Sequence, residues 1–475
     1  MRNFRYILIS LVLSGIILGN APFAMAKTKK THKRARVSSA KNANSSLQNR
    51  IEQLESNQKV LERKLEVEKE IQEQKEKDKP KDAATVTAGK DGFIVKSGDG
   101  NFKLRIGGYI QTDGRFFIKD SADKLANQFE LRRVRPIFEG TVYKYFDFRI
   151  MPDFGEGKAV LQDAYADVHP FTWLRFRGGK FKEPVGLERL QSGSNLLFIE
   201  RGLPTNLVPN RDVGLQLHGD VWDGTFNYAL GLFDGVFDGG SVDGDVSDGK
   251  DFAGRVFVQP FKKTSITPLQ GFGVGVSGTY GSQFGSISTT NLPSYKSIGQ
   301  NTIFSFLNDT TAAGTVFSDG KRYRISPQGY FYYGPFGLFG EYVRSTEKVN
   351  LAGAKKELTN TSWQVAASYV VTGEKNGWNG VTPKNPINPK KGHWGAFEIA
   401  GRYGEIEFDK AAFPTYADPT KSVRKAEAWG VGVNWYLNKN FKWALNFDQS
   451  RFKGGDKGGN RPTENALFTR LQIAY

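Results

Sequence analysis

Between Asp91 and Tyr475 apolar residues recur at every second position over stretches of roughly ten residues, and Gly, Asn, Asp and Pro separate the stretches. In 102–110 the apolar set is Phe102, Leu104, Ile106 and Ile110, with Lys103, Arg105 and Tyr109 between. In 145–154 Phe146, Phe148 and Ile150 alternate with Asp147 and Arg149. Sixteen such segments are traced, at 102–118, 128–142, 144–154, 160–169, 172–181, 211–221, 224–234, 251–260, 271–282, 321–333, 336–347, 359–373, 393–408, 424–437, 440–453 and 464–475. Single-chain bacterial outer-membrane barrels carry an even number of strands. The predicted fold class is therefore all-β, a transmembrane antiparallel barrel of about 16 strands over 101–475.

The connections strengthen this reading. Tyr143-Lys144, Pro170-Phe171, Trp222-Asp223, Gly334-Pro335 and Asn438-Lys439 are tight, whereas 182–210, 284–320 and 374–392 are long. Short turns on one rim and long loops on the other are expected of such a barrel. The last segment puts Leu467, Leu471, Ile473 and Tyr475 on one face, with Thr469 between. That strand is expected to pair with the first, because an open edge leaves backbone groups unsatisfied in lipid.

Ahead of the array the pattern changes. Leu47, Leu54 and Leu61 recur every seven residues, and Ile51, Gln58 and Leu65 follow each by four. This seam predicts a short coiled coil over 46–78, and so an oligomer. Lys79, Pro80 and the residues to 100 read as a linker, and the basic stretch 27–45 as a disordered arm, not a nucleic-acid site. Residues 1–26 have the charged start, the apolar run Tyr6–Leu18 and the Ala24-Met25-Ala26 site of a secretory signal.

Composition narrows the chemistry. The chain has 475 residues, a formal charge of +17, 13% aromatics, no Cys and four His. No disulfide scaffold or Cys-based metal site is possible, no cofactor or metal is expected, and scarce His disfavours metal binding. His32, His169, His218 and His393 stand in no nucleophile motif, and Gly-x-Ser-x-Gly is absent, so an enzyme is not expected. The Asp-rich stretch 234–251 lacks EF-hand spacing and reads as a solvated loop.

A barrel of about sixteen strands encloses an aqueous channel, with apolar side chains toward lipid and polar ones toward water. Lys103, Arg105, Arg115, Arg133, Arg135, Arg149, Arg175, Arg177, Arg322, Arg324 and Arg402 sit opposite apolar residues on strands. A strand Arg or Lys facing lipid costs about 2–4 kcal/mol near the midplane, so this set is expected in the lumen. Basic linings favour anions, and the guanidinium fork suits phosphate and carboxylate.

The runs FELRRVRPIFEG (129–140), FDFRIMPDFG (146–155), LQDAYADVHP (161–170) and RGGKFKEPVGLERLQS (177–192) resemble the phosphate-selective porin O and P family. The resemblance implies a sixteen-stranded outer-membrane barrel of a Gram-negative bacterium, a homotrimer, an inward-folded third external loop, and an arginine ladder leading to a lysine-lined constriction. It makes 182–210 the constriction loop and Lys180, Lys182, Arg189, Ser192, Ser194 and Arg201 the anion-binding candidates. The expected function is passive diffusion of small anions such as phosphate. The alternative is a general, weakly selective diffusion porin in which Asp113, Asp147, Asp153, Asp163 and Asp167 balance the arginines.

Overall fold

The computed structural model describes residues 35–77, 83–89, 92–118, 125–245 and 247–475. They fall into two units, divided after Pro80.

The first unit is one helix, α1 (Ala35–Lys77). Its sequence is rich in Glu, Lys, Gln and Leu and has no Gly or Pro, a composition that favours a continuous helix. Leu47, Ile51, Leu54, Leu61 and Leu65, the seam residues, are all exposed in the single chain. The helix starts at Ala35, inside the stretch read as a disordered arm. The signal segment 1–26 and residues 27–34 lie outside the described residues.

The second unit is a closed antiparallel barrel of sixteen strands. They are β1 (Lys103–Phe117), β2 (Gln128–Val142), β3 (Phe146–Asp153), β4 (Val160–Phe171), β5 (Leu174–Lys182), β6 (Arg211–Val221), β7 (Phe226–Phe233) and β8 (Asp251–Val258). The second half comprises β9 (Phe272–Phe284), β10 (Phe317–Tyr333), β11 (Phe336–Leu351), β12 (Ala354–Val370), β13 (Ala396–Glu407), β14 (Val423–Tyr436), β15 (Phe441–Asp456) and β16 (Glu464–Ala474). Each pairs with its neighbours in sequence, and β16 closes on β1 from Ala466 opposite Phe117 to Ala474 opposite Tyr109. No described helix is long and apolar enough to cross a membrane.

The strand alternation has the sense expected in lipid. On β1, Ile110 is 40% exposed while Gln111 and Asp113 are at 0% and 1%. Phe102 on the approach to β1 and Phe129, Leu215, Phe252 and Leu471 on the strands are likewise exposed on the outer wall. Polar residues fill the inner face, where water and the loops are.

Three departures from the sequence pattern matter. First, the linker 79–100 is partly sheet: a hairpin, Thr85–Gly89 with Gly92–Lys96, pairs with the start of β1, Phe93 opposite Ile106 and Lys96 opposite Lys103. It covers the edge of β1 beyond the point where β16 ends, so no ladder is left open there. Second, the alternation of rims fails at β11–β13. β11 and β12 join at Ala352-Gly353 on the long-loop rim, with both strands extended into the stretch expected to be loop. The long connection 371–395 instead lies on the rim of tight turns. It turns inward: Gln191 donates to the Trp378 carbonyl at 2.8 Å, and the Trp378 ring stacks on Tyr330 with centroids 5.5 Å apart. Third, the loop 285–316 carries a small hairpin of its own, 294–296 with 302–305, whose Tyr295, Ile303 and Phe304 are fully buried.

Strand length is uneven. β3, β7 and β8 have 8 residues each, whereas β10 and β12 have 17.

Candidate functional site

The connection 183–210, between β5 and β6, folds into the barrel and is stitched to one side of it. The Leu187 amide donates to Glu341 of β11 at 2.6 Å, and Glu188 accepts from Gln364 of β12 at 2.8 Å. Ile199 N–H meets Asn446 of β15 at 2.7 Å, Arg470 of β16 donates to the Ile199 carbonyl at 2.8 Å, and Arg402 of β13 to the Glu200 carbonyl at 2.6 Å. Leu196, Phe198, Ile199, Leu203 and Leu207 are buried beneath these bonds. Gly202 lets the loop approach this wall closely: a Cβ there would stand 1.6 Å from Gln364 Oε1 and would push that side chain aside. The loop therefore occupies the β11–β16 side, and the open space is left against β1–β8.

That space consists of two chambers. The upper, about 350 Å³, lies toward the long-loop rim, and the lower is about 480 Å³. Three side chains line both: Arg135 of β2, Lys182 at the end of β5 and Arg211 at the start of β6. The junction between the chambers is thus marked by three cations from three strands. A smaller space of about 210 Å³ continues toward the tight-turn rim and shares Arg149, Tyr165 and Arg177 with the lower chamber.

What holds each cation decides how much charge it offers a passing ion. Arg149 pairs with Glu139 at 2.7 Å and Asp163 at 3.2 Å, Arg175 with Asp147 at 2.8 Å, and Arg177 with Asp167 at 2.7 Å. At the junction Arg135 is bound to Asp153 and Arg211 to Asp163, both at 2.7 Å. Lys182 differs: it donates to the carbonyls of Gln191 at 2.9 Å and Leu190 at 3.3 Å. Arg201 donates to the carbonyls of Glu188 at 3.0 Å and Gln191 at 2.7 Å, and Arg189 to that of Thr205. Carbonyls fix these three groups without cancelling their charge. Burial, then the neighbouring Arg201 and Arg211, press the Arg189 guanidinium down to about 9, the direction expected of a charge crowded by its own kind. Glu200 is the counterweight in the loop: burial opposes its ionisation, yet Arg132 at 2.7 Å holds its carboxyl far below the usual range.

The six constriction candidates separate accordingly. Lys182 reaches the junction, Arg189 and Arg201 line the upper chamber, and Ser192 lines the lower one. Ser194 hydrogen-bonds Ser192 at 2.9 Å. Lys180 is not brought to the channel; it pairs with Asp243 of the 234–250 loop and borders neither chamber.

The ladder divides too. Lys103, Arg105, Arg149, Arg175 and Arg177 border the lower spaces, while Arg133 and Arg135 border the upper chamber. Arg115, Arg322, Arg324 and Arg402 point inward but are covered by the loops: Arg402 holds Asp448 at 2.9 Å, Arg324 holds Asp238 at 2.6 Å, and Arg115 holds Glu130 at 2.8 Å.

Sequence reasoning missed Arg132, Arg211, Arg255 and Arg470. Arg255 and Arg470 alternate with Val256 and Leu471 and were legible by the same rule as the others. Arg132 was not, because it reaches the lumen through a β-bulge at which Gln111 and Thr112 face Arg133 and Leu131, so that Arg132 and Arg133 both turn inward.

Comparison with known proteins agrees with this architecture. Residues 103–475 match the family described as phosphate-selective porin O and P. Porin O of Pseudomonas aeruginosa is 25% identical over 412 residues, 81% of this chain and 91% of that protein. Two solved structures share the fold at a TM-score of 0.50: the anion-selective porin from Comamonas acidovorans (14% identity; 79% of this chain, 100% of that one) and the outer membrane channel DcaP of Acinetobacter baumannii (10%; 82% and 99%).

Proposed function

The chain belongs to the phosphate-selective porin O and P family and is an outer-membrane porin; on that premise we propose that it conducts small anions, phosphate among them, by passive diffusion past the junction of Arg135, Lys182 and Arg211. The observation that carries this reading is the trio Lys182, Arg189 and Arg201, cations held by carbonyl oxygens instead of carboxylates, Lys182 at the junction and Arg189 and Arg201 in the upper chamber that leads to it. An anion entering there exchanges water for fixed N–H donors, whereas a cation meets like charge in a site of reduced dielectric.

The paired arginines below favour the second reading, a weakly selective pore. Arg149, Arg175 and Arg177 face Glu139, Asp147, Asp163 and Asp167, and these pairs add little net potential. Reversal potentials in planar bilayers under a potassium chloride gradient test the first reading, and cation preference would refute it. Phosphate added to the chloride current then separates the two: block at low concentration supports a phosphate-binding constriction, and no block supports the weakly selective pore.

A homotrimer is part of the proposal. Its support in the chain is the heptad seam of α1, whose leucines are exposed among the described residues of one subunit.

A further inference from the structure

Below the cationic junction the channel changes chemistry. The upper chamber is walled mainly by charged and amide groups, with Val160, Phe237 and Ile298 as its apolar side chains. The lower chamber adds Tyr109, Met151, Tyr165, Phe181, Leu190 and Tyr228 to its arginines. Rings and guanidinium groups are matched there. Arg177 lies over the Tyr165 ring at 4.2 Å and near Phe181 at 5.4 Å. Arg135 donates to the Tyr109 hydroxyl at 2.8 Å, and Arg255 lies 4.6 Å over Phe257.

A guanidinium resting on a ring keeps its plane fixed and is less strongly hydrated than an ammonium. Arg177 spends its edge N–H groups on Asp167, whereas Arg255 meets no carboxylate among the described residues and keeps donors for a charged head. An inorganic anion has no use for the apolar wall beside it. A solute with a charged head and a flat hydrocarbon body uses both, because the head finds donors and the body leaves water against rings, Met and Leu. The chamber of about 480 Å³ has room for such a body together with water.

We infer that the lower chamber is a subsite for small aromatic anions, solutes carrying a carboxylate or phosphate head on a planar ring. The inference rests on the anion-channel reading above and names a substrate class for it. The Arg255 guanidinium supplies donors for the head, and Tyr165, Met151 and Leu190 of the chamber wall supply the surface for the ring.

The test uses the purified full-length protein in planar bilayers and two matched pairs of probes, benzoate with acetate and phenyl phosphate with inorganic phosphate. Each is titrated into the chloride current. The ring-bearing member of a pair is expected to block at about tenfold lower concentration, the ratio that ring burial of ordinary size gives. Tyr165→Leu and Leu190→Ser, measured on inserted, conducting channels, are expected to narrow that ratio. Where a variant does not insert, the wild-type ratio decides alone. A ring advantage in one pair only supports the subsite and assigns its head group. Equal block within both pairs overturns the subsite and leaves the anion channel intact. A reversal potential showing cation preference overturns the anion channel itself.

Discussion

A cation's worth in this lumen depends on what its partner is. Lys182 donates to two carbonyls and pairs with no carboxylate among the described residues. Lys182→Glu puts a negative charge in place of a basic group at the junction of the two chambers. At about 6 Å and an effective dielectric of ~20, one unit charge is worth ~3 kcal/mol, so the chloride-to-potassium permeability ratio should fall by about tenfold or more. Reversal potentials measure it. Lys180→Gln is the contrast: that side chain is engaged with Asp243 away from both chambers, and selectivity should stay near wild type. Asp163→Asn works in the opposite sense. Asp163 is shared by Arg149 and Arg211, and removing its charge should raise anion preference in the same measurement. The alternation rule put Arg149, Arg175 and Arg177 on the polar face of their strands, and all three border the lower spaces. It could not distinguish a lumen arginine in water from one under a loop, which is the difference between Arg135 and Arg324. That distinction is made by Asp238 and Asp251, which reach Arg324 from residues 86 and 73 positions away.

At the scale of elements, the strands were legible and the connections only partly. A strand announces itself within a dozen residues, because its two faces meet different solvents. A connection gives its length and not its direction. The connection 371–395 is long, yet it lies on the rim of tight turns, and Trp378 meets Tyr330 and Phe339 inside the barrel. Its backbone also carries a hydrogen bond from Gln191 of the 183–210 loop. That loop is thus held at its flank by β11–β16 and touched by a second insertion from the opposite rim. Shortening 375–391 to a tight turn should raise single-channel conductance and current noise, since it removes both filling and support. Unchanged conductance would mean that the inserted residues neither narrow the path nor steady the loop. Breaking one strut, through Arg402→Ala, should loosen the same loop from its wall. It should also leave Asp448 buried and unpaired, a cost of about 3–5 kcal/mol to be read as a lower unfolding temperature.

For the whole molecule the question is what one subunit leaves unfinished. The seam of α1 exposes Leu54 and Leu61 at 63% and 61%. Leu54→Asp with Leu61→Asp should reduce the mass of the full-length protein in detergent, or the temperature at which its oligomer dissociates, with the barrel still folded by its far-ultraviolet spectrum. An unchanged oligomer would place the association entirely in the barrel wall. That wall is itself lopsided. The eight-residue β3, β7 and β8, at ~3.4 Å per residue and a tilt of ~40°, rise only about 20 Å, short of the ~25 Å apolar band such barrels present, while the seventeen-residue β10 and β12 exceed it. Lipid tails of ordinary length suit the long flank, where β12 meets them at Trp363, Val365 and Tyr369 and runs on into water through Lys355, Lys356 and Glu357. Where the staves are short, the bilayer must be pinched thin or give up its place to a neighbouring barrel.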